Sequence, residues 1–273
     1  MRRSLWKPRT ITLALLLSCL FATTLWAEDE TGWSDTAELG YIVTSGNSES
    51  STLGFKNTAA RKWTNALFTL NAGGIRVETT TKTRVELSPG VVQETETAEK
   101  TAENYYLNGR YDRNITDRLF WYAGAGWDRN RFAGIDNRYT VEGGTGNVWY
   151  DEEGLKFRTL YGLTYTDQED IIPNPASDDT FAGGRFSWDY LNKLGGNTTY
   201  VNIFVVDLNL DESDDWRGNM INSLAVAMNE RLALKVSLQI LYDNMPSLIV
   251  VGTTPVELDE TDTIFTASLV VNF

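Results

Sequence analysis

The chain has 273 residues, 37 of them acidic against 24 basic, with no histidine and a single cysteine, Cys19. A formal net charge of −13 excludes the basic surface that nucleic-acid phosphates require. Without histidine there is no Ser-His or Asp-His catalytic pair and no histidine-based zinc site, so the chain reads as a non-enzyme with no cofactor.

Residues 1–27, MRRSLWKPRTITLALLLSCLFATTLWA, carry Arg2, Arg3, Lys7 and Arg9 ahead of an apolar run, with the small Ala27 before an acidic triplet. That order predicts a secretory signal peptide, and Cys19 lies inside it. The remaining residues, 28–273, then hold 20 basic against 37 acidic side chains, a net charge of −17. No stretch among them is long and apolar enough to cross a bilayer as a helix. A spanning element has to be β.

The first predicted strand, 33–44, sets Trp33, Asp35, Ala37, Leu39, Tyr41 and Val43 against Ser34, Thr36, Glu38, Gly40, Ile42 and Thr44, the period of two that a strand imposes. Ser45-Gly46-Asn47-Ser48 supplies a turn, since Gly and Asn tolerate the positive φ of tight hairpins, and a return strand follows over 50–61. The stretch 37–61, AELGYIVTSGNSESSTLGFKNTAAR, resembles the opening of the salt-induced outer-membrane proteins grouped as domain of unknown function 481. Arg138-Tyr139, GRFSWDY at 184–190, YDNMP at 242–246 and the closing strand extend the resemblance over nearly the whole chain. It implies a β-barrel in the outer membrane of a Gram-negative bacterium, surrounded by lipid and lipopolysaccharide.

A third strand is predicted over 66–77 and a fourth over 102–113, the Thr- and Glu-rich segment between them being either a long loop or two strand extensions. The fifth, 119–128, places Leu119, Trp121, Ala123, Ala125 and Trp127 on one face and Phe120, Tyr122, Gly124, Gly126 and Asp128 on the other. Tryptophans at both ends suit a lipid-facing strand, and the glycines leave room in a narrow lumen. Further strands are expected at 138–150, 155–166, 179–190, 198–210, 216–228 and 232–242, and residues 243–260 loop to a last strand at 262–273. That strand ends on its apolar face at Phe273, which resembles the terminal aromatic that the barrel-assembly machinery reads in bacterial outer-membrane barrels.

The fold class expected is therefore all-β: a transmembrane antiparallel up-and-down β-barrel of about 12 strands over 28–273, behind an N-terminal signal peptide. After the first hairpin the connections alternate, short at KWTN, NITDR, DEEG, NKLGGN and NER and mostly longer between, as periplasmic turns and extracellular loops do. Asn202 and Asn222 interrupt the outward faces of the ninth and tenth strands, which leaves ten or fourteen strands open.

By the same alternation Glu38, Lys56, Arg110, Asp112, Lys156, Arg158, Arg185, Asp189 and Lys235 face the lumen. Mixed charges in a narrow barrel pair and fill it, which favours a filled structural barrel with an envelope-stress role over a narrow passive pore for ions and small solutes. A function of another class is surface interaction, with acidic loops binding divalent cations, lipopolysaccharide or a partner. Asp167, Glu169, Asp170, Asp178 and Asp179, or Asp211, Glu212, Asp214 and Asp215, would then supply the oxygen ligands.

Overall fold

In a strand every second side chain shares a face, so a chain that alternates through a dozen segments can present one continuous apolar surface and one polar one. The computed structural model of the protein describes residues 31–44, 48–88, 91–131, 133–173, 179–251 and 254–272. The expected leader, the first turn at 45–47 and Phe273 lie outside the described residues.

All regular secondary structure there is β: β1 Gly32–Thr44, β2 Ser48–Trp63, β3 Ala66–Ser88, β4 Val91–Asn114, β5 Leu119–Asn130, β6 Ile135–Glu152, β7 Leu155–Asp170, β8 Thr180–Gly195, β9 Thr198–Asn209, β10 Trp216–Ala227, β11 Leu232–Asp243, β12 Leu248–Val251, β13 Thr254–Glu257 and β14 Thr261–Asn272. Twelve of these, all but β12 and β13, form one closed barrel in which each strand pairs antiparallel with its sequence neighbour. β14 closes it against β1, from Thr36↔Asn272 to Leu39↔Leu269. The count of twelve holds. The expected loop 243–260 contains a small hairpin, β12–β13, paired from Leu248↔Glu257 to Val251↔Thr254.

The Thr- and Glu-rich segment forms strand extensions. β2 follows β3 only as far as Ser48↔Thr81, and β5 follows β4 only as far as Asn104↔Asn130. Beyond Thr81↔Thr97 β3 and β4 continue alone as a two-stranded ribbon that rises about 20 Å along the strand direction. β8 likewise runs on through residues 192–195, where a turn was expected, because its backbone keeps pairing with β9 to Gly195↔Thr198.

The short turns and the start of β1 share one end of the barrel. They are built by local side-chain acceptors: Thr116 Oγ1 accepts from the Leu119 amide at 3.0 Å, and Asn229 Oδ1 accepts from Arg231 and Leu232 at 2.9 Å each. At this end Trp33, Trp63, Trp121 and Trp149 are exposed on the outer face, with Tyr111 packed between Trp63 and Trp121. The Arg61 guanidinium lies over the rings of both Trp33 and Trp63, at 5.2 and 5.1 Å. Tyr139 and Tyr165 stand exposed at the loop end. Between the two aromatic belts the outer wall is aliphatic and aromatic, with Leu39, Leu107, Val141, Leu163, Val236 and Phe265 all exposed. An apolar band between aromatic belts is the surface of a barrel made for hydrocarbon.

Asn202 and Asn222 do face outward, directly opposite each other on β9 and β10. Each is satisfied within the wall: Asn202 donates to Asn222 Oδ1 at 2.9 Å, Trp188 Nε1 donates to Asn202 Oδ1 at 2.6 Å, and the Tyr200 hydroxyl donates to Asn222 Oδ1 at 2.7 Å. Polar groups on a lipid-facing wall are tolerated when they bond to one another.

Leu163, midway along β7 and 67% exposed, faces outward. Leu163→Arg is expected to lower folding stability in lipid vesicles by about 2–4 kcal/mol, the depth-dependent cost of a cation on the lipid face. Urea titration followed by the gel-mobility difference between unheated and boiled samples checks it, and an unchanged midpoint would place Leu163 away from lipid.

Candidate functional site

Inside the barrel, the inward faces of β5, β6 and β7 carry a small core. Phe120, Tyr122 and Leu160 are almost fully buried, with Val148 packed against them. Their rings fit because the neighbouring strands offer glycine: a Cβ at Gly146 would fall on the Phe120 ring and one at Gly162 on Tyr122. This thickens one side of the wall and leaves the rest of the lumen free.

Above that core lies an arginine–carboxylate network. Arg110 donates to Asp112 through Nε at 2.8 Å and Nη2 at 3.2 Å, and its guanidinium lies 5.7 Å from the Tyr122 ring centre. Arg158 donates to Asp112 from Nη1 at 3.1 Å and to Asp189, its direct cross-strand partner, from Nε at 2.7 Å. Arg185 grips its own cross-strand partner, Asp207, through two nitrogens at 2.6 and 2.9 Å, and reaches Glu142 at 2.7 Å. Paired, bidentate geometry is what lets such charges sit in a narrow space without their full desolvation cost.

Across the lumen Lys235 on β11 donates to Glu38 on β1 at 2.8 Å, spanning β14 between them. Lys56 is the cross-strand neighbour of Glu38. Nearer the loop end Arg138 makes a two-nitrogen pair with Asp128, both at 3.0 Å. Arg217 donates to Gln168 at 3.0 Å and to Asp215 at 3.2 Å, while its Nε lies 3.4 Å from Asp243, ion-pair distance without hydrogen-bond geometry.

Of the nine lumen residues expected from alternation, Arg110, Asp112, Arg158 and Asp189 therefore join one chain of ion pairs, Arg185 forms a second cluster with Asp207 and Glu142, and Glu38, Lys56 and Lys235 gather on the other side. Lys156 pairs with Asp151 at 3.1 Å at the turn-end rim, where both side chains are largely exposed. Alternation missed Glu142, Asp207, Arg138 and Arg217. Glu142 shares the inward parity of Arg138 and Thr140 in a glycine-rich strand, and Asp207 that of Val205 in a strand apolar on both faces, so parity alone could have found both.

These side chains surround a cavity of about 1010 Å³. It is lined at the turn end by Asp117 and Asp151 and at the loop end by Pro246, Leu258 and Glu260. The last three belong to the segment 244–260, which joins β11 to β14 and reaches the β5–β6 turn, where Gly134 lies against Ser247 and Leu258. β11 and β14 stand six places from β5 and β6 in the ring of twelve, so this strap crosses the mouth. Gly134 has φ of +74°, a conformation that glycine adopts without penalty. Among the described residues no group of three or more acidic or sulfur side chains converges to hold a metal. In the loop clusters weighed as cation ligands, Asp215 is instead engaged by Asn209 and Arg217, and Asp178 lies outside the described residues.

A closed antiparallel barrel with an apolar outer band, aromatic belts and a charged, cavity-bearing interior is a transmembrane β-barrel. The chain belongs to the family described as "Protein of unknown function, DUF481", whose model matches residues 37–273. It is 26% identical over 151 residues to the uncharacterized protein YdiY of Escherichia coli (strain K12), covering 54% of this chain and 56%, about half, of that relative's length. Similar solved structures include the NanC porin, at 11% identity and a TM-score of 0.49 over 87% of this chain and 98% of that one. They also include the translocator domain of autotransporter NalP from Neisseria meningitidis, at 12% identity and a TM-score of 0.42 over 91% and 90%.

The network gives a contrast that stability measurements can read. Asp112, with a side chain only 7% exposed, holds both Arg110 and Arg158, so Asp112→Ala is expected to cost about 2–3 kcal/mol, less than a fully buried pair because the cavity admits water. Lys156→Ala at the rim should stay within about 0.5 kcal/mol of the parent. Equal effects in urea titrations of the two variants would contradict this division.

Proposed function

We propose that the barrel is a narrow passive pore for ions and small solutes in the outer membrane of a Gram-negative bacterium, where lipid and lipopolysaccharide surround its apolar band and the barrel-assembly machinery inserts it. One observation carries the reading: the cavity is lined by residues of both rims, from Asp117 and Asp151 to Leu258 and Glu260. A filled barrel, favoured by charge pairing alone, calls for side chains that meet across the centre. Here Arg158–Asp189, Arg185–Asp207 and Arg138–Asp128 join adjacent strands, and the longest reaches named above, Arg158–Asp112 and Arg217–Gln168, span three places of the twelve, a quarter of the ring rather than its full width. The strap over the loop end and the aromatic core beneath the arginines narrow the path and suit solutes no larger than small metabolites.

Purified full-length chain in a planar bilayer is expected to give discrete conductance steps. Arg158→Ala leaves the carboxylates of Asp112 and Asp189 less compensated, so under a salt gradient its reversal potential should move toward cation selectivity. A silent bilayer, or a conducting variant with the parent's reversal potential, would count against the pore.

A further inference from the structure

The arginine network is saturated with carboxylates; the other side of the cavity is not. Lys56 lines the cavity, its cross-strand neighbour Glu38 is held by Lys235 at 2.8 Å, and among the described residues no carboxylate stands at ion-pair distance from the Lys56 ammonium. Two ammonium groups thus share one carboxylate. Directly across from Lys56 on β3 is Gly73, and the ring of Tyr106 lies over that glycine, which brings a phenolic hydroxyl beside the lysine. An uncompensated ammonium next to a hydroxyl donor on a cavity wall is anion-binding chemistry.

What faces this spot follows from the strand register. Counting one way round, Lys56 pairs to Gly73, Tyr106, Asp128, Arg138 and Gln168, and Gln168 bonds to Asp179 at the loop end of β8. The other way, it pairs to Glu38, Val270, Ala233 and Ala227, and Ala227 bonds to Asn197 in the β8–β9 turn. Because strands tilt in a barrel, the two routes reach the far wall at its opposite ends, and the height of Lys56 falls halfway between them. Directly opposite Lys56, midway along β8, the inward residues are Ser187 and Asp189, the latter held by Arg158; next to them on β9 and β10, six places round the ring from Gly73 on β3 and Tyr106 on β4, the inward residues are Ile203, Val205 and Ile221. The twelve strands set facing backbones about 24 Å apart, and an extended lysine plus a branched aliphatic side chain leave roughly 10 Å between them.

We infer that the bore carries a binding site for small organic anions with an apolar body, monocarboxylates of about six carbons, whose carboxylate is held by Lys56 and Tyr106 and whose hydrocarbon lies on Ile203, Val205 and Ile221. The inference rests on the pore reading and names the class of solute that the pore takes. Acetate carries the charge without the reach, and an amide of the same length carries the reach without the charge.

The test is current block in planar bilayers holding the full chain, in potassium chloride, with hexanoate, acetate or hexanamide added and each variant referred to its own unblocked current. Hexanoate should block in a concentration-dependent way, with acetate and hexanamide needing about tenfold more. Lys56→Gln should raise the half-blocking concentration of hexanoate about tenfold, Lys56→Arg should restore block, and Ile203→Asn, on the other wall, should weaken block by hexanoate but not by acetate. Gel mobility before and after boiling shows which variants fold, and the two walls give independent readings. A conducting barrel that hexanoate blocks no better than acetate or hexanamide, or whose hexanoate block survives Lys56→Gln, overturns the inference and leaves the pore standing. A silent parent barrel removes both.

Discussion

A peptide group has one donor and one acceptor, and hydrocarbon offers neither a partner; each unpaired group there costs several kcal/mol. Everything else in this molecule follows from meeting that condition with strands. Sheet edges cannot be left open, so β14 returns to β1 and the ring closes. Closure gives each strand one wet face and one oily face, and alternation then decides which side chain meets water and which meets lipid.

The interior shows how charge is accommodated once the wall is shut. Asp112 receives two arginines, Arg185 grips two carboxylates, and cross-strand register brings Arg158 to Asp189 and Arg138 to Asp128 with no need for long reaches. The core of Phe120, Tyr122 and Leu160 lies behind the Arg110–Arg158 layer and supports it from the wall side. Charge and aromatic packing together occupy one half of the cross-section. The other half keeps Lys56, the Glu38–Lys235 pair and the aliphatic stretch of β9 and β10 around open space.

Much of this is legible in the sequence because a period of two is hard to counterfeit. The outward Leu163 and Tyr165 and the inward Arg158 and Thr164 of β7 can be assigned by parity, and the short turns mark where the chain reverses. Parity places Asn202 and Asn222 outward but does not show why amides are tolerated there, because that depends on bonds to Trp188, Tyr200 and each other, and a sequence does not display which residues stand side by side. The Arg158–Asp112 bridge between β7 and β4 is hidden for a related reason: it depends on the stagger of the strands around the ring. The strap over the mouth is invisible to alternation altogether, since its place comes from Gly134 on the far rim meeting Ser247 and Leu258.

The seam between the first and last strands sets the order in which the molecule can form. Thr36 donates to Asn272 across a separation of 236 positions, whereas most other barrel strands join a neighbour through a turn or a modest loop. Bringing such distant segments together costs about 5 kcal/mol of chain entropy, against about 1 kcal/mol for a tight reversal, before any bond rewards it. Hairpins can therefore assemble as they emerge, but the final join must wait for the whole polypeptide. Until then two ragged borders stand open to wrong partners, and only the meeting of the true selvedges removes them.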